Sequence, residues 1–204
     1  MDIKDKLTEI FKEFPGIGER QARRFVYFLM GKTNAYVDNL SILINELKQE
    51  TKQCSECFRF FNLKDSADKD TCEICINKNT DSSVLMIVEK DSDLESVRKS
   101  RAYHGKYFIL GGLVPIVEKN TKKNVRVEEL KKKISKEEGL REIILAFSVS
   151  PQGDHTDLYV RNELKDLVSK KNIKISSLGK GLSTGTELEY SDNETLKNAL
   201  KNRQ

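Results

Sequence analysis

The four cysteines are the residues of this chain best placed to do chemistry, and they fall in two tight pairs. Cys54-x2-Cys57 and Cys72-x2-Cys75 are separated by fourteen residues. Each pair sets two thiols on one turn, and two such turns face to face make a four-thiolate tetrahedron suited to zinc. Protein supplies every ligand, so no position is left for water or substrate. The spacing therefore predicts one structural Zn2+ per chain, held by Cys54, Cys57, Cys72 and Cys75. The competing readings are a redox pair and free buried thiols. A redox CxxC sits at a helix N-terminus beside a strand, and the sequence around these cysteines suggests neither. The opening residues Met1-Asp2-Ile3-Lys4-Asp5-Lys6 lack the apolar run of a signal peptide, and no stretch approaches the roughly 18 apolar residues of a membrane helix. The expectation is a cytoplasmic chain, where paired cysteines favour metal over disulfide.

A second set of residues is suited to phosphate. Phe14-Pro15-Gly16-Ile17-Gly18 breaks one helical pattern, and a second begins at Glu19 with Arg20, Arg23 and Arg24 in its first turn and a half. This apolar-Pro-Gly-Ile-Gly turn resembles the helix-hairpin-helix DNA module. Gly16 and Gly18 would let a DNA backbone come close, the unpaired N–H groups at the helix start would bind its oxygens, and the arginines would reach the same strand. Such contacts position without reading bases, so binding should be blind to sequence and weakened by salt. The plainer alternative is an ordinary helical hairpin with a solvated basic face. The 36 lysines and arginines are nearly offset by 32 acids, for a net charge of +4, so any DNA contact must come from local patches.

The third candidate is Glu89, which ends the apolar run Val84-Leu85-Met86-Ile87-Val88. A carboxylate at the carboxyl end of a parallel strand points into the usual ligand crevice. The strand–Glu–helix, strand–Gly–Gly, strand–turn–helix series resembles the Toprim domain of topoisomerases and primases. Catalytic members add an Asp-x-Asp pair after a later strand to hold Mg2+. Here the corresponding strand, Ile143 to Phe147, ends in Ser148-Val149-Ser150. Serine is a poor substitute for carboxylate on a hard cation, so tight metal binding and catalysis are not expected. The alternative for Glu89 is an acid that caps the following helix. Gly179 to Thr186 is glycine-rich but lacks the lysine of a P-loop, and the two histidines, His104 and His155, stand far apart.

These residues need elements to position them. Leu7, Ile10, Phe11 and Phe14 form one helical stripe, and Ala22, Phe25, Val26 and Leu29 a second. A third helix, Tyr36 to Glu50, should bury Val37, Leu40, Leu43, Ile44 and Leu47. Asn77 to Ser82 reads as a linker. Strands at 84–88, 107–110, 142–147 and 173–175 alternate with helices at 93–100, 125–138 and 154–171, which implies a mostly parallel sheet. Ser191 and Glu194 stand at capping-box spacing before a last helix carrying Leu196, Ala199 and Leu200.

The order of these parts is more specific than any one of them. A helix-hairpin-helix, a four-cysteine module and a degenerate Toprim sheet in about 200 residues resemble the bacterial RecR family of recombination mediators along nearly the whole chain. Tyr103-His104-Gly105-Lys106-Tyr107-Phe108-Ile109-Leu110-Gly111-Gly112, the tail from Gly181 through Gly185 to Glu187-Leu188-Glu189-Tyr190, and Asp192-x-x-Thr195-Leu196-x-x-Ala199-Leu200 fit as well. Departures from the family pattern are Ser148 for Asn, Gln152 for Glu, and Lys180 and Ser183 for Arg and Pro.

The resemblance implies an α+β multidomain chain. Residues 1–53 would be the helix-hairpin-helix domain, 54–76 the zinc finger, 82–178 a Toprim-like α/β domain, and 179–204 a tail with the C-terminal helix. It also implies a non-catalytic DNA-repair mediator that binds single- and double-stranded DNA. Such a protein would work with RecO, in some lineages RecF, and through them RecA, as a homodimer or ring-like homotetramer. An enzyme reading, a small Toprim nuclease using Glu89 with Mg2+, is opposed by the missing acidic pair. A zinc-ribbon transcription regulator lacks a base-reading helix and leaves the α/β half unexplained.

Overall fold

The computed structural model describes residues 1–116, 125–179, 181–182, 185 and 187–201. The chain divides into two compact units, Met1–Thr51 and Lys52–Gln204.

The first unit is helical: α1 (Ile3–Lys12), α2 (Glu19–Met30) and α3 (Asn34–Glu50). Helices α1 and α2 pack together, and the buried residues here are Thr8, Ala22 and Val26, small enough to bring the two backbones close. The Thr8 hydroxyl donates to Lys4 O at 2.8 Å, which satisfies it inside that contact. Phe11 meets Phe14 and Phe25 edge to face, with centroids at 5.6 and 5.7 Å. The expected stripe is therefore incomplete: Ile10 and Phe14 remain about half exposed. Helix α3 starts two residues before the expected position because Thr33 caps it, accepting from Tyr36 N. Its expected core face is not buried. Leu43, Ile44 and Leu47 are 52, 55 and 61% exposed, since no element of the unit covers them.

A two-stranded sheet, β1 (Thr51–Gln53) and β2 (Phe60–Asn62), begins at the last residue of the first unit, and a single-turn helix α4 (Glu73–Ile76) follows in the second. The main sheet follows: β3 (Asp81–Val88), α5 (Asp91–Ser100), β4 (Gly105–Ile109), α6 (Val127–Lys136), β5 (Glu142–Ala146), α7 (Pro151–Lys171) and β6 (Lys174–Ser177). The strands run parallel in the order β4-β3-β5-β6, with Val88 facing Ile109 on one side and Ala146 on the other. Residues 81 and 82, expected in a linker, belong to β3.

Pleating divides the apolar side chains between two faces. Leu85, Ile87, Phe108, Ile143 and Leu145 pack with Leu130 and Ile134 of α6 and Val160 and Leu164 of α7. Met86, Val88, Tyr107, Ile109 and Ala146 pack with Leu94 of α5. Continuous apolar runs such as Val84–Val88 are what a strand covered on both faces requires.

The chain ends in α8 (Asn193–Lys201). Its N-terminal cap is Asp192, whose carboxylate accepts from Thr195 N at 2.8 Å, rather than the expected Ser191–Glu194 box. Of the tail motif, Lys180, Ser183, Thr184 and Thr186 lie outside the described residues.

One long-range contact ties two helices of the sheet together. Lys171 Nζ, from the last turn of α7, donates to the carbonyls of Ile134, Ser135 and Glu137 at 2.7–2.9 Å, where α6 ends and its carbonyls lack helical partners. Removing one ammonium orphans three acceptors. Lys171→Met should lower the unfolding free energy by about 1–2 kcal/mol, read as a drop of a few degrees in thermal melting.

Candidate metal centre and nucleic-acid interface

The four cysteine sulfurs converge within 4.8 Å of one another, with Cys54 Sγ to Cys75 Sγ at 3.9 Å and Cys57 Sγ to Cys72 Sγ at 3.6 Å. A disulfide would need sulfurs about 2.05 Å apart. A tetrahedral ion with bonds near 2.3 Å places its sulfurs about 3.8 Å apart. The residues thus fit a four-thiolate metal site, and among the described residues no other cluster of three or more metal-ligating side chains forms.

Both turns are built locally. Phe58 N donates to Cys54 O at 3.0 Å and Cys54 N to Arg59 O at 2.8 Å, and Phe58 takes the left-handed conformation at φ +63° that reverses the chain after Cys57. Cys75 N donates to Cys72 O, and Cys72 N to Cys54 Sγ at 3.3 Å. Cys72 is itself the N-cap of α4, a helix start that the sequence did not suggest and that weakens the argument against a redox pair. The sulfur spacing, rather than the absence of a helix, is what points to metal.

Charge completes the centre. Hydrogen bonding with Cys57 pulls the Cys54 thiol well below the usual range, while the same contact pushes the Cys57 thiol well above it. Sulfurs this close share protons unless a cation relieves them. Two cations that sequence reasoning missed stand beside them, each only 7% exposed: Arg59 and Lys133. Arg59 pairs with Glu73 at 2.6 Å and with Glu95 of α5 at 3.6 Å. Lys133 of α6 pairs with Glu56 at 3.1 Å and Glu137 at 3.4 Å. Burial works against the Lys133 ammonium, but Glu56, Cys75 and Glu137 outweigh it and raise its pKa. The available signal was position: Val127, Leu130 and Ile134 mark the buried stripe of α6, and Lys133 lies on its edge.

In the helical unit, Gly16 sits at φ +76° in the turn after α1, and Gly18 is the N-cap of α2 with no side chain serving as cap. Nothing lies within 4 Å of a Cβ built on either glycine, so a phosphate could approach the backbone here. Arg20, Arg23 and Arg24 are exposed on the first turns of α2. Arg23 is held by Glu19 at 3.0 Å and Arg24 by Gln21 at 3.1 Å, partners any ligand phosphate would have to displace or share.

Glu89 follows β3, the strand on which the topology switches sides, with the ends of β4 and β5 flanking it. It does not cap α5: Asp93 does, accepting from Lys90 N at 3.3 Å. The nearest cation to its carboxylate is Lys90 at 3.9 Å. At the end of β5, Ser148 Oγ and Ser150 Oγ lie 3.0 Å apart, and Ser150 caps α7 by accepting from Gly153 N. Gly153 is required there, because a Cβ would come 1.9 Å from Ser148 O. On the β4 side, Arg126 donates to Ile109 O at 3.2 Å and lies against Gly111, which takes the left-handed φ of +97°.

Residues 83–178 match the family described as the Toprim domain, and residues 181–204 the one described as RecR, C-terminal. Recombination protein RecR of Bacteroides thetaiotaomicron is 34% identical over 201 residues, covering 98% of this chain and 93% of that protein. This chain belongs to the RecR family. The RecR proteins of Synechococcus sp., 35% identical over 97% of both chains, and of Lactobacillus acidophilus, 30% identical over 97% of this chain and 94% of that one, extend the likeness over the cysteines and the helical unit. The Toprim match in this RecR family member spans the four-stranded sheet, and no helix among its described residues is long and apolar enough to cross a membrane.

Thiolates bind metal and thiols bind protons, so the metal should leave as pH falls. Elemental analysis should find one ion per chain at neutral pH. Acidification or chelation should release it, expose four titratable thiols and lower the melting temperature. A folded, metal-free protein with four reactive thiols at neutral pH would rule the site out.

Proposed function

We propose that this RecR family member is a non-catalytic DNA-binding mediator of recombinational repair. In this reading it acts in the cytoplasm, at the nucleoid, with RecO and in some lineages RecF, to load RecA onto gapped single-stranded DNA. The observation that carries the proposal is the open, uncapped turn at Gly16–Gly18 with Arg20, Arg23 and Arg24 beside it. Backbone N–H groups and arginines that reach phosphates without any base-reading element suit a protein that must act at any sequence.

The metal in this reading is Zn2+, because an all-sulfur tetrahedral donor set prefers it among divalent ions. It is a structural ion, since all four ligands come from the chain. Absence of catalysis rests on the serine pair at 148 and 150, which serves as a helix cap where Mg2+-binding carboxylates would stand. Glu89 has Lys90 as its ion-pair partner among the described residues.

Assembly follows from affinity. A few phosphate contacts per subunit bind DNA poorly at physiological salt, and joining subunits brings the second contact at high effective concentration. The uncovered face of α3, the partly exposed α1 residues around Ile10 and the exposed Leu200 of α8 supply apolar surface for two kinds of contact, enough to close a dimer into a tetrameric ring.

Sedimentation at micromolar concentration should give a dimer–tetramer equilibrium; a strict monomer that keeps its DNA affinity would eliminate the ring. In a second experiment, Arg23→Ala/Arg24→Ala should weaken binding to single- and double-stranded DNA and flatten the log K against log salt slope by about one unit per lost contact. The DNA should remain uncut in Mg2+. Unchanged affinity and slope would reject the interface, and nicking abolished by Glu89→Gln would reject the non-catalytic reading.

A further inference from the structure

A cleft of about 380 Å³ opens in the second unit between α4 and the α5–β4 connection, beside the cysteine turns, since Ile74 lines it and packs on the cysteine cluster. Its walls carry Arg98, Arg101 and His104, with the amides of Asn77 and Asn79 and the hydroxyl of Thr80 opposite. No carboxylate lines it, although the chain holds 32 acidic residues against 36 basic ones. The volume is that of a small-ligand site.

The two arginines are placed by one tight turn. Arg101 ends α5 in the left-handed conformation, φ +55° and ψ +18°, and its N–H donates to Arg98 O at 3.1 Å. Glycine is the usual residue at such a position, and any other side chain there strains the backbone. Arg98 is steadied from one side by Glu95 at 3.2 Å and Glu73 at 3.5 Å.

Tyr107 supplies an independent sign of a missing ligand. It lines the cleft, is 3% exposed, and its hydroxyl has no hydrogen-bond partner among the described residues. A buried hydroxyl left unpaired is costly and uncommon in native proteins. Burial raises its pKa while Arg98 pulls the other way, so at neutral pH it keeps its proton and is a donor in need of an acceptor. The neighbouring Tyr103 hydroxyl is already engaged, 2.8 Å from Lys106 O and 3.0 Å from Val84 O.

Two guanidinium groups, flanking amides and a buried donor match an acceptor-rich anion, which would share Arg98 with Glu95 and Glu73 and find no acid in the lining itself. We propose that this cleft binds a phosphate ester, presented by a free nucleotide or by a segment of nucleic-acid strand. The site is distinct from the Gly16–Gly18 turn and does not depend on it.

The test uses the full-length protein in calorimetric titration with thymidine, thymidine monophosphate, inorganic phosphate and a short oligothymidylate. Phosphate-bearing ligands should bind and thymidine should not. Arg98→Ala would also break the pairs with Glu73 and Glu95, so Arg101→Gly is the cleaner variant. It should raise thermal stability by relieving the left-handed strain, yet weaken phosphate-ligand binding about tenfold. Tyr107→Phe should leave stability equal or higher and also weaken binding. Repeating the titrations in Arg23→Ala/Arg24→Ala removes phosphate binding at the helical turn, and the monophosphate binding that remains should still be weakened by Arg101→Gly. In the Arg23→Ala/Arg24→Ala variant, equal affinity for monophosphate and oligonucleotide would identify a nucleotide site, and tighter oligonucleotide binding that Arg101→Gly removes would identify a strand contact. The proposal falls if no phosphate ligand binds, if thymidine binds equally well, if Arg101→Gly and Tyr107→Phe bind as the wild type does, or if only the Arg23/Arg24 variant loses the monophosphate.

Discussion

Four sulfurs within 4.8 Å repel one another once they ionise, and removing them from water intensifies the repulsion. The knuckle closes only where positive charge is supplied, and the chain supplies part of it itself. Arg59 and Lys133 are buried cations beside the sulfurs, each tied to an acid from another segment. A divalent ion in four thiolates would leave a net charge of about −2, which Arg59 and Lys133 would temper while shared with their glutamate partners. The same pairs fasten the knuckle to the sheet's helices: Arg59 reaches Glu95 on α5, and Lys133 on α6 reaches Glu56. Asp91 accepts from Phe60 N at 2.7 Å, Ile109 N donates to Cys57 O at 2.9 Å, and Phe58 lies edge-on to Phe108 at 5.4 Å. Electrostatic compensation and docking are thus one arrangement, and losing either should loosen both.

Most of this architecture was legible because its signals are local. The CxxC spacing identified all four clustered cysteines, and unbroken apolar runs identified the strands of a sheet covered on both faces. Strand and helix ends moved by up to three residues wherever a cap decided them, as with Thr33, Ser150 and Asp192. Burial on α3 was misjudged for a different reason. Periodicity shows that Leu43, Ile44 and Leu47 share a face, but not whether anything covers that face. Lys133 and Arg59 were hidden because a charge is read as solvated by default, and their partners lie many residues away. The cleft at Arg98 and Arg101 was illegible for a related reason: it is assembled from three segments, and the recognised stretch beginning at Tyr103 supplies one wall without showing what it faces.

Serine at 148 and 150 has a structural use at the end of β5. Ser150 caps α7, and Gly153 must remain glycine for the helix to start so close to Ser148 O. Glu89 follows β3, with the Ser150 cap after β5 on one side and Arg126 at the end of β4 on the other.

The carbonyl of Cys57 has a second role through its bond to Ile109 N. Strand β4 lies at the border of the sheet, with β3 on one side only. An unpaired border strand is a template for a foreign strand, and natural proteins cover such borders to avoid self-association. Here the cover is the metal-binding knuckle, laid over one rung of the outer ladder with Phe58 shielding Phe108. Oxidising a cysteine would therefore do more than release an ion: it would strip the border of β4 and bare an aromatic pair beside it. Any change that opened the cysteine turns would in this way take the cover from a sheet border that lies far from them in sequence.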